Sequence, residues 1–216
     1  MHRCEPHLDM PSVRAPQPQS LTPRLSLAPR LETLEDRRLL LFDNGQLRQY
    51  EGRRRTALAT LAQRLQQQHG VAVCERAQSP LANLPQGRLP ELVNHIAKMG
   101  VEGVVIALCD IPVAATSMAL AWELERHGLP TATLCAEPAI PMAAALTMRV
   151  LPGLPLSLLH VAPHMAASDI TAESIWVAGE VEEALTASVD VLEAQFWTTS
   201  AAAWRQTSVY PAGEQV

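Results

Sequence analysis

From Leu39 onward, short apolar runs alternate with segments whose apolar residues recur every three to four positions. The first run, Leu39-Leu40-Leu41-Phe42-Asp43, stops at Asn44-Gly45, a turn signal, and reads as a strand. Leu58, Leu61 and Leu65 then keep helical spacing up to Gly70. Val71–Arg76 reads as the second strand. Leu89–Gly100 has Pro90 in its first turn and Gly100 past its end, which marks a helix. Val101–Asp110 is apolar at almost every position, so both faces of this third strand are buried and it lies centrally. The next helix runs to Gly128, with Thr116 or Ser117 as its expected N-cap. Pro130–Glu137 is the fourth strand, a helix with Pro141 in its first turn follows, and Pro155–Pro163 is the fifth strand. The stretch Thr171–Trp197 reads as helix in two pieces around Gly179.

Regular strand–helix alternation predicts an α/β fold: a doubly wound, mainly parallel open sheet of the Rossmann-like or flavodoxin-like kind, with helices on both faces. Ahead of it, "PSVRAPQPQSLTPRLSLAPR" is rich in Pro, Ser and Arg and has neither period. Residues 1–30 are therefore expected to be a disordered extension, 31–197 the α/β domain and 198–216 a tail. A true start at Met10 or later is the alternative reading of the extension.

Composition narrows the class. Apolar residues make up 48% of the 216-residue chain but aromatics only 4%, so the core must be aliphatic. A net charge of -5 and the absence of a sustained basic stripe argue against a nucleic-acid partner; Arg53-Arg54-Arg55 reads as a solvated face. No apolar run reaches the length of a membrane span, which predicts no membrane partner. The cysteines at 4, 74, 109 and 135 form no Cys-x-x-Cys pair, and no secretory signal pattern precedes them. Free thiols in a reducing cytoplasm are expected.

Candidate chemistry gathers in "GVVIALCDIPVAATSM", Gly103–Met118. Parallel sheets bind ligands beyond the carboxyl ends of their strands. Asp43, Cys109, Asp110, Cys135, Glu137 and the span from His160 to His164 all fall near such ends, as do Thr116 and Ser117 at the following helix start. A helix N-terminus lowers the pKa of a nearby thiol and attracts anions. The plainer readings are that Cys109 and Cys135 are small core hydrophobes and that Asp110 caps the loop. His160 and His164 do not make a helical metal pair, because Pro163 intervenes, and no third ligand is evident. There is no Walker loop, GxGxxG, GxSxG or HExxH motif, so no cofactor and no metal are expected.

The segment "GVEGVVIALCD…TSMALAWELERHGLPTATLCAEP" resembles the UGSC-like family, named for a Sec-Gly-Ser-Cys or Cys-Gly-Ser-Cys motif. Gly100–Asp110 match its glycine-led strand and Asp, and Thr116-Ser117 match the pair after the motif. Leu124-Glu125 and Gly128-Leu129-Pro130-Thr131 match the helix end and next strand. "LPGLPLSLLHVAPH" is similar to a later strand and turn, and "LFDNGQL" to a strand-Asp-x-x-Gly opening. The resemblance spans about Leu39–Val189. Where it implies the reactive motif, this chain has Ile111-Pro112-Val113-Ala114-Ala115. The family motif implies attack by one thiolate or selenolate and resolution by a second. This segment carries neither.

Three functions follow. In the first, the chain is a non-redox or degenerate member that binds a small metabolite or a paralogous subunit at 110–117, through Asp110, Thr116, Ser117 and His164, as part of a homo- or hetero-oligomer. In the second, it is an enzyme using Cys109 as a single nucleophilic thiol, with Asp110 and His164 as proton-transfer groups. The second reading also resembles aspartate/glutamate racemases, in which Cys74 or Cys135 would have to supply the second thiol. In the third, it is a structural α/β protein whose tail and N-terminal arm mediate assembly.

Overall fold

The computed structural model describes residues 27–44, 51–78, 87–109, 113–136, 139–149, 158–161, 167–192 and 194–195. The elements alternate in the expected order: β1 (Arg38–Asp43), α1 (Glu51–His69), β2 (Val73–Gln78), α2 (Leu89–Lys98), β3 (Gly103–Cys109), α3 (Ala114–Arg126), β4 (Thr131–Ala136), α4 (Ile140–Arg149), β5 (Leu158–Val161) and α5 (Ala167–Thr186). All strand pairs are parallel, and the sheet order is β2-β1-β3-β4-β5. This is the doubly wound α/β architecture, with β3 at its centre.

Strand alternation sorts the side chains into two cores. Leu40, Phe42, Val104, Ile106 and Cys135 face a layer built from α2, α3 and α4, including Val93, Ile96, Met118, Leu124 and Ala143. Leu39, Leu41, Val105, Ala107, Ala132 and Leu134 face α1 and α5, through Leu58, Leu61, Leu65, Val181 and Leu185. Gly103 is a point of close approach to α5. A Cβ there would lie 3.0 Å from Leu39 Cδ2 and 3.4 Å from Leu185 Cδ1, so a side chain would push β3 off its neighbours.

Several boundaries differ from the sequence reading. β2 starts at Val73 because the N–H of Val71 still bonds back to the Leu65 carbonyl at 3.3 Å. Gly179 does not split the last helix. It is exposed, nothing lies where its Cβ would be, and α5 runs unbroken to Thr186; the break comes at Ala187-Ser188. Glycine in a helix costs about 1 kcal/mol of propensity, which the buried face of α5 outweighs.

The packed chain also begins before residue 31. Leu27 and Ala28 are buried, which corrects the expectation that the extension reaches residue 30. Residues 1–26 and the tail from 198 lie outside the described residues. The strap formed by residues 27–36 crosses from one core to the other: Leu27 packs with the α2–α3–α4 layer and Leu34 with α1 and α5. Glu125, near the end of α3, holds it. The Glu125 carboxylate accepts from the Ala28 N–H at 2.8 Å and forms a close ion pair with Arg30; both side chains are almost wholly buried. The same carboxylate accepts from the Thr131 N–H at 2.6 Å and the Thr131 hydroxyl at 2.8 Å. Arg30 Nη1 then donates to the Ala184 carbonyl of α5 at 3.3 Å, and the Leu31 N–H to the Leu185 carbonyl at 2.9 Å.

Removing one partner of a buried pair strands the other. Glu125→Ala should therefore destabilise the domain by about 3–5 kcal/mol in chemical denaturation. Truncation separates the arm from the strap. A chain beginning at Leu27 should keep its Tm. One beginning at Glu32, without Arg30, should lose roughly 6–20 °C, at about 2–4 °C per kcal/mol for a domain of this size.

A second carboxylate ties β1 to β3. Glu102 accepts from the Arg38 N–H at 3.0 Å and from Arg37 Nη1 at 2.8 Å, while its own N–H donates to the Arg38 carbonyl at 2.7 Å. The Arg38 backbone bond, followed by the Arg37 side chain, lowers the Glu102 pKa. A depressed carboxylate stabilises the fold above its unfolded pKa, about 4.3, and that contribution is lost as pH falls through the lower folded value. Acid titration of stability should show Glu102→Gln less stable than the parent at pH 7, with the difference closing below about pH 4.

Candidate functional site

In the order β2-β1-β3-β4-β5, the chain winds one way from β1 to β2 and the other way from β3 onward. The two strands that flank the reversal are β1 and β3, and it is above the carboxyl ends of such strands that doubly wound sheets bind ligands. The β1 side ends in Asp43 and Asn44. Asp43 is only 5% exposed and pairs in register with Gln78 and Ala107. By alternation it continues the row of Leu39 and Leu41. Asn44 is fully buried, and its N–H donates to the Ala107 carbonyl at 2.7 Å. Asp43 and Asn44 thus form a buried polar pair closing an apolar strand at the switch point. The signal is present in "LLLFDN", but the sequence reading places Asp43 only near a strand end and treats Asn44 only as part of a turn.

The β3 side leads into α3. The sequence predicts a cap at Thr116 or Ser117, but α3 starts at Ala114 with Val113 as its N-cap and no side-chain cap bond. The reason is packing: Val113 and Ala114 are both fully buried, so the core rather than a hydroxyl fixes the helix start. Thr116 is half-buried inside the first turn. Ser117 sits on the buried face with Ala114, Met118 and Ala121, and its Oγ is buried without a hydrogen-bond partner. Thr133 Oγ1, on the side of the sheet that α3 covers, is likewise buried and unpartnered. Such groups cost about 1–3 kcal/mol each when left unsatisfied. The first turn of α3 contains no acidic residue, so no carboxylate within it offsets the positive end of the helix dipole.

The register between β3 and β4 shifts once. Ile106 pairs with Thr133, but Cys109 pairs with Cys135, three residues along one strand against two along the other. Without that irregularity Leu108 would stand opposite Cys135. Cys135 pairs in turn with His160 on β5, so the backbone lines up Cys109, Cys135 and His160 across three strands at the carboxyl end of the sheet. Cys135 is fully buried in the α2–α3–α4 core, in keeping with its expectation as a small core hydrophobe.

The racemase-like arrangement gains no support from this geometry. Cys74 lies on β2, opposite Leu39 at the start of β1, two strands from Cys109. Burial pushes its thiol up to about 11, so it is protonated at neutral pH. Cys135 is a lateral neighbour of Cys109 in the backbone register, on the adjacent strand at ~4.8 Å spacing, rather than a residue across a cleft from it. Asp110, Ile111, Pro112, Glu137 and His164 lie outside the described residues. Among the described residues no helix is long and apolar enough to cross a membrane.

The chain belongs to the UGSC family: the family model matches residues 12–200. That match is wider than the span Leu39–Val189 that carries the sequence resemblance, and it takes in the strap at 27–36. No curated protein matches the chain.

Proposed function

We propose that this UGSC-family protein is a degenerate member, without redox chemistry in the loop 110–117, that holds a small anionic metabolite above β1 and β3 at that segment. The observation that carries this reading is Ser117: a buried hydroxyl with no partner, in the first turn of a helix that starts at the switch point. A hydroxyl so placed can donate to an anion, assisted by the unpaired N–H groups of the helix N-terminus. The first turn is Ala114-Ala115-Thr116-Ser117, small side chains that let a ligand approach the backbone. Asp43 and Asn44 on the β1 side of the switch point suit a hydroxyl or amino group on the same ligand, which points to a hydroxy- or amino-carboxylate. Asp110 and His164 complete the proposed binding set.

The segment that the family resemblance associates with chalcogen chemistry supports the non-redox half of the proposal. It reads Ile111 to Ala115, and its end is built into the core through Val113 and Ala114. We place the protein in a reducing cytoplasm, with a paralogous subunit as the other candidate occupant of this face.

The test is calorimetry with a panel of short 2-hydroxy- and 2-amino-carboxylates and inorganic phosphate, alongside mass spectrometry of what co-purifies with the protein. Ser117→Ala and Asp110→Ala should each weaken binding by about 1 kcal/mol, roughly fivefold, while Cys109→Ser leaves it unchanged. Ser117→Ala should also leave Tm unchanged or raise it, because it deletes an unsatisfied buried hydroxyl. If Cys109→Ser abolishes a turnover that Asp110→Ala spares, the single-thiol enzyme replaces this reading.

A further inference from the structure

We infer that Cys109 and Cys135 form an oxidant-responsive dithiol, separate from the loop to which thiol chemistry would be assigned by family motif. The inference rests on register. The irregularity between Ile106 and Cys109 adds one residue to β3 and brings Cys109, in place of Leu108, beside Cys135. Adjacent strands run about 4.7–4.9 Å apart. Disulfides bridge Cα atoms about 4.4–6.8 Å apart, so this spacing admits one. β-bulges are concentrated beside active sites, where they re-aim a residue at a strand end. In this sheet the shift falls at the end of the strand that leads into the candidate site. Cys135 is a thiol in the structure and is fully buried. A buried thiol does not meet an oxidant first, so Cys109, which leads directly into segment 110–112, takes the first step and Cys135 resolves it.

The co-reactant is hydrogen peroxide. The Cys109 thiolate attacks the peroxide; an S–O bond forms, the O–O bond breaks, and the departing hydroxide is protonated to water, leaving a sulfenic acid. The Cys135 thiol then attacks that sulfur; the S–S bond forms, the S–O bond breaks, and a second water leaves. Two thiols lose two electrons in total and one peroxide is reduced. A low-molecular-weight thiol reverses the closure by exchange.

The full-length chain is treated with a small excess of hydrogen peroxide; remaining thiols are blocked, and the digest is mapped by mass spectrometry with and without prior reduction. The expected product is a peptide pair joining Cys109 to Cys135, lighter by two hydrogen atoms and lost on reduction, with Cys74 recovered as a blocked thiol. In Cys135→Ala, Cys109 should instead be trapped by dimedone as the sulfenic acid. Recovery of Cys109 and Cys135 as separately blocked thiols, their conversion to sulfinic acids without a link, or linkage of either one to Cys74 overturns the inference. Because the cross-link is mapped in the unsubstituted chain, its presence or absence does not depend on how the variant folds. Metabolite binding through Ser117 is measured separately, so the failure of one proposal leaves the other standing.

Discussion

Glu125 is the interaction on which the amino edge of the sheet depends. Its carboxylate accepts hydrogen bonds from Ala28, Arg30 and Thr131, and so joins the entering strap, the end of α3 and the start of β4 at one buried point. Arg30 carries the connection on to α5 through the Ala184 carbonyl. One ion pair thereby ties the helical layers on the two faces of the sheet together. A buried pair of this kind is no more favourable than good apolar packing would be, but its geometry is specific and its loss is costly. It also gives a physical account of the Leu-Glu-x-x-Gly-x-Pro-Thr pattern at 124–131. Gly128 turns the chain at positive φ, Pro130 stiffens it, and Thr131 offers both its N–H and its hydroxyl to the glutamate six residues earlier.

With the amino edge fixed, the residues available for chemistry fall on the carboxyl edge. There the strands end in polar or sulfur-bearing residues: Asp43 and Asn44 after β1, Cys109 at the end of β3, Cys135 near the end of β4. Loops at this edge are free to change chemistry without disturbing the layers below. Glu102 plays the complementary part at the opposite end of β1 and β3. By fixing Arg37 and Arg38 it sets the register of the two strands that flank the switch point, and hence the relative height of Asp43 and Ala107 at their far ends.

The fold was legible because its signals are periodic and local. The near-continuous apolar run 103–108 required a central strand, and Gly70, Gly100 and Gly128 stop their helices with positive φ as expected. What was not legible depends on contacts far apart in sequence. Residues 27–30 have the composition of a disordered arm, and contacts distant in sequence, with Glu125 some 95 positions away and with Ala184 further still, make them part of the core. The start of α3 was misplaced because a capping hydroxyl is a weaker constraint than two buried residues, Val113 and Ala114. The buried, unpartnered state of Ser117 could have been found: it stands three positions after Ala114 and four before Ala121, a polar residue on a core stripe. The shift that pairs Cys109 with Cys135 left no trace, since no glycine or proline marks it.

The replacement at 111–115 has consequences beyond the absent chalcogens. A reactive loop needs access, and its nucleophile must lie outside the packed core. Val113 and Ala114 do the opposite: they are fully buried and anchor the start of α3 by packing. A cysteine placed at either of these two positions would lie in an apolar core, where burial raises a thiol's pKa and lowers its reactivity. The spacing of the strand cysteines is set by backbone register rather than by loop conformation. The thiol chemistry inferred for this chain belongs to the sheet, and the binding proposed for it to the helix start, with its small side chains and buried hydroxyl.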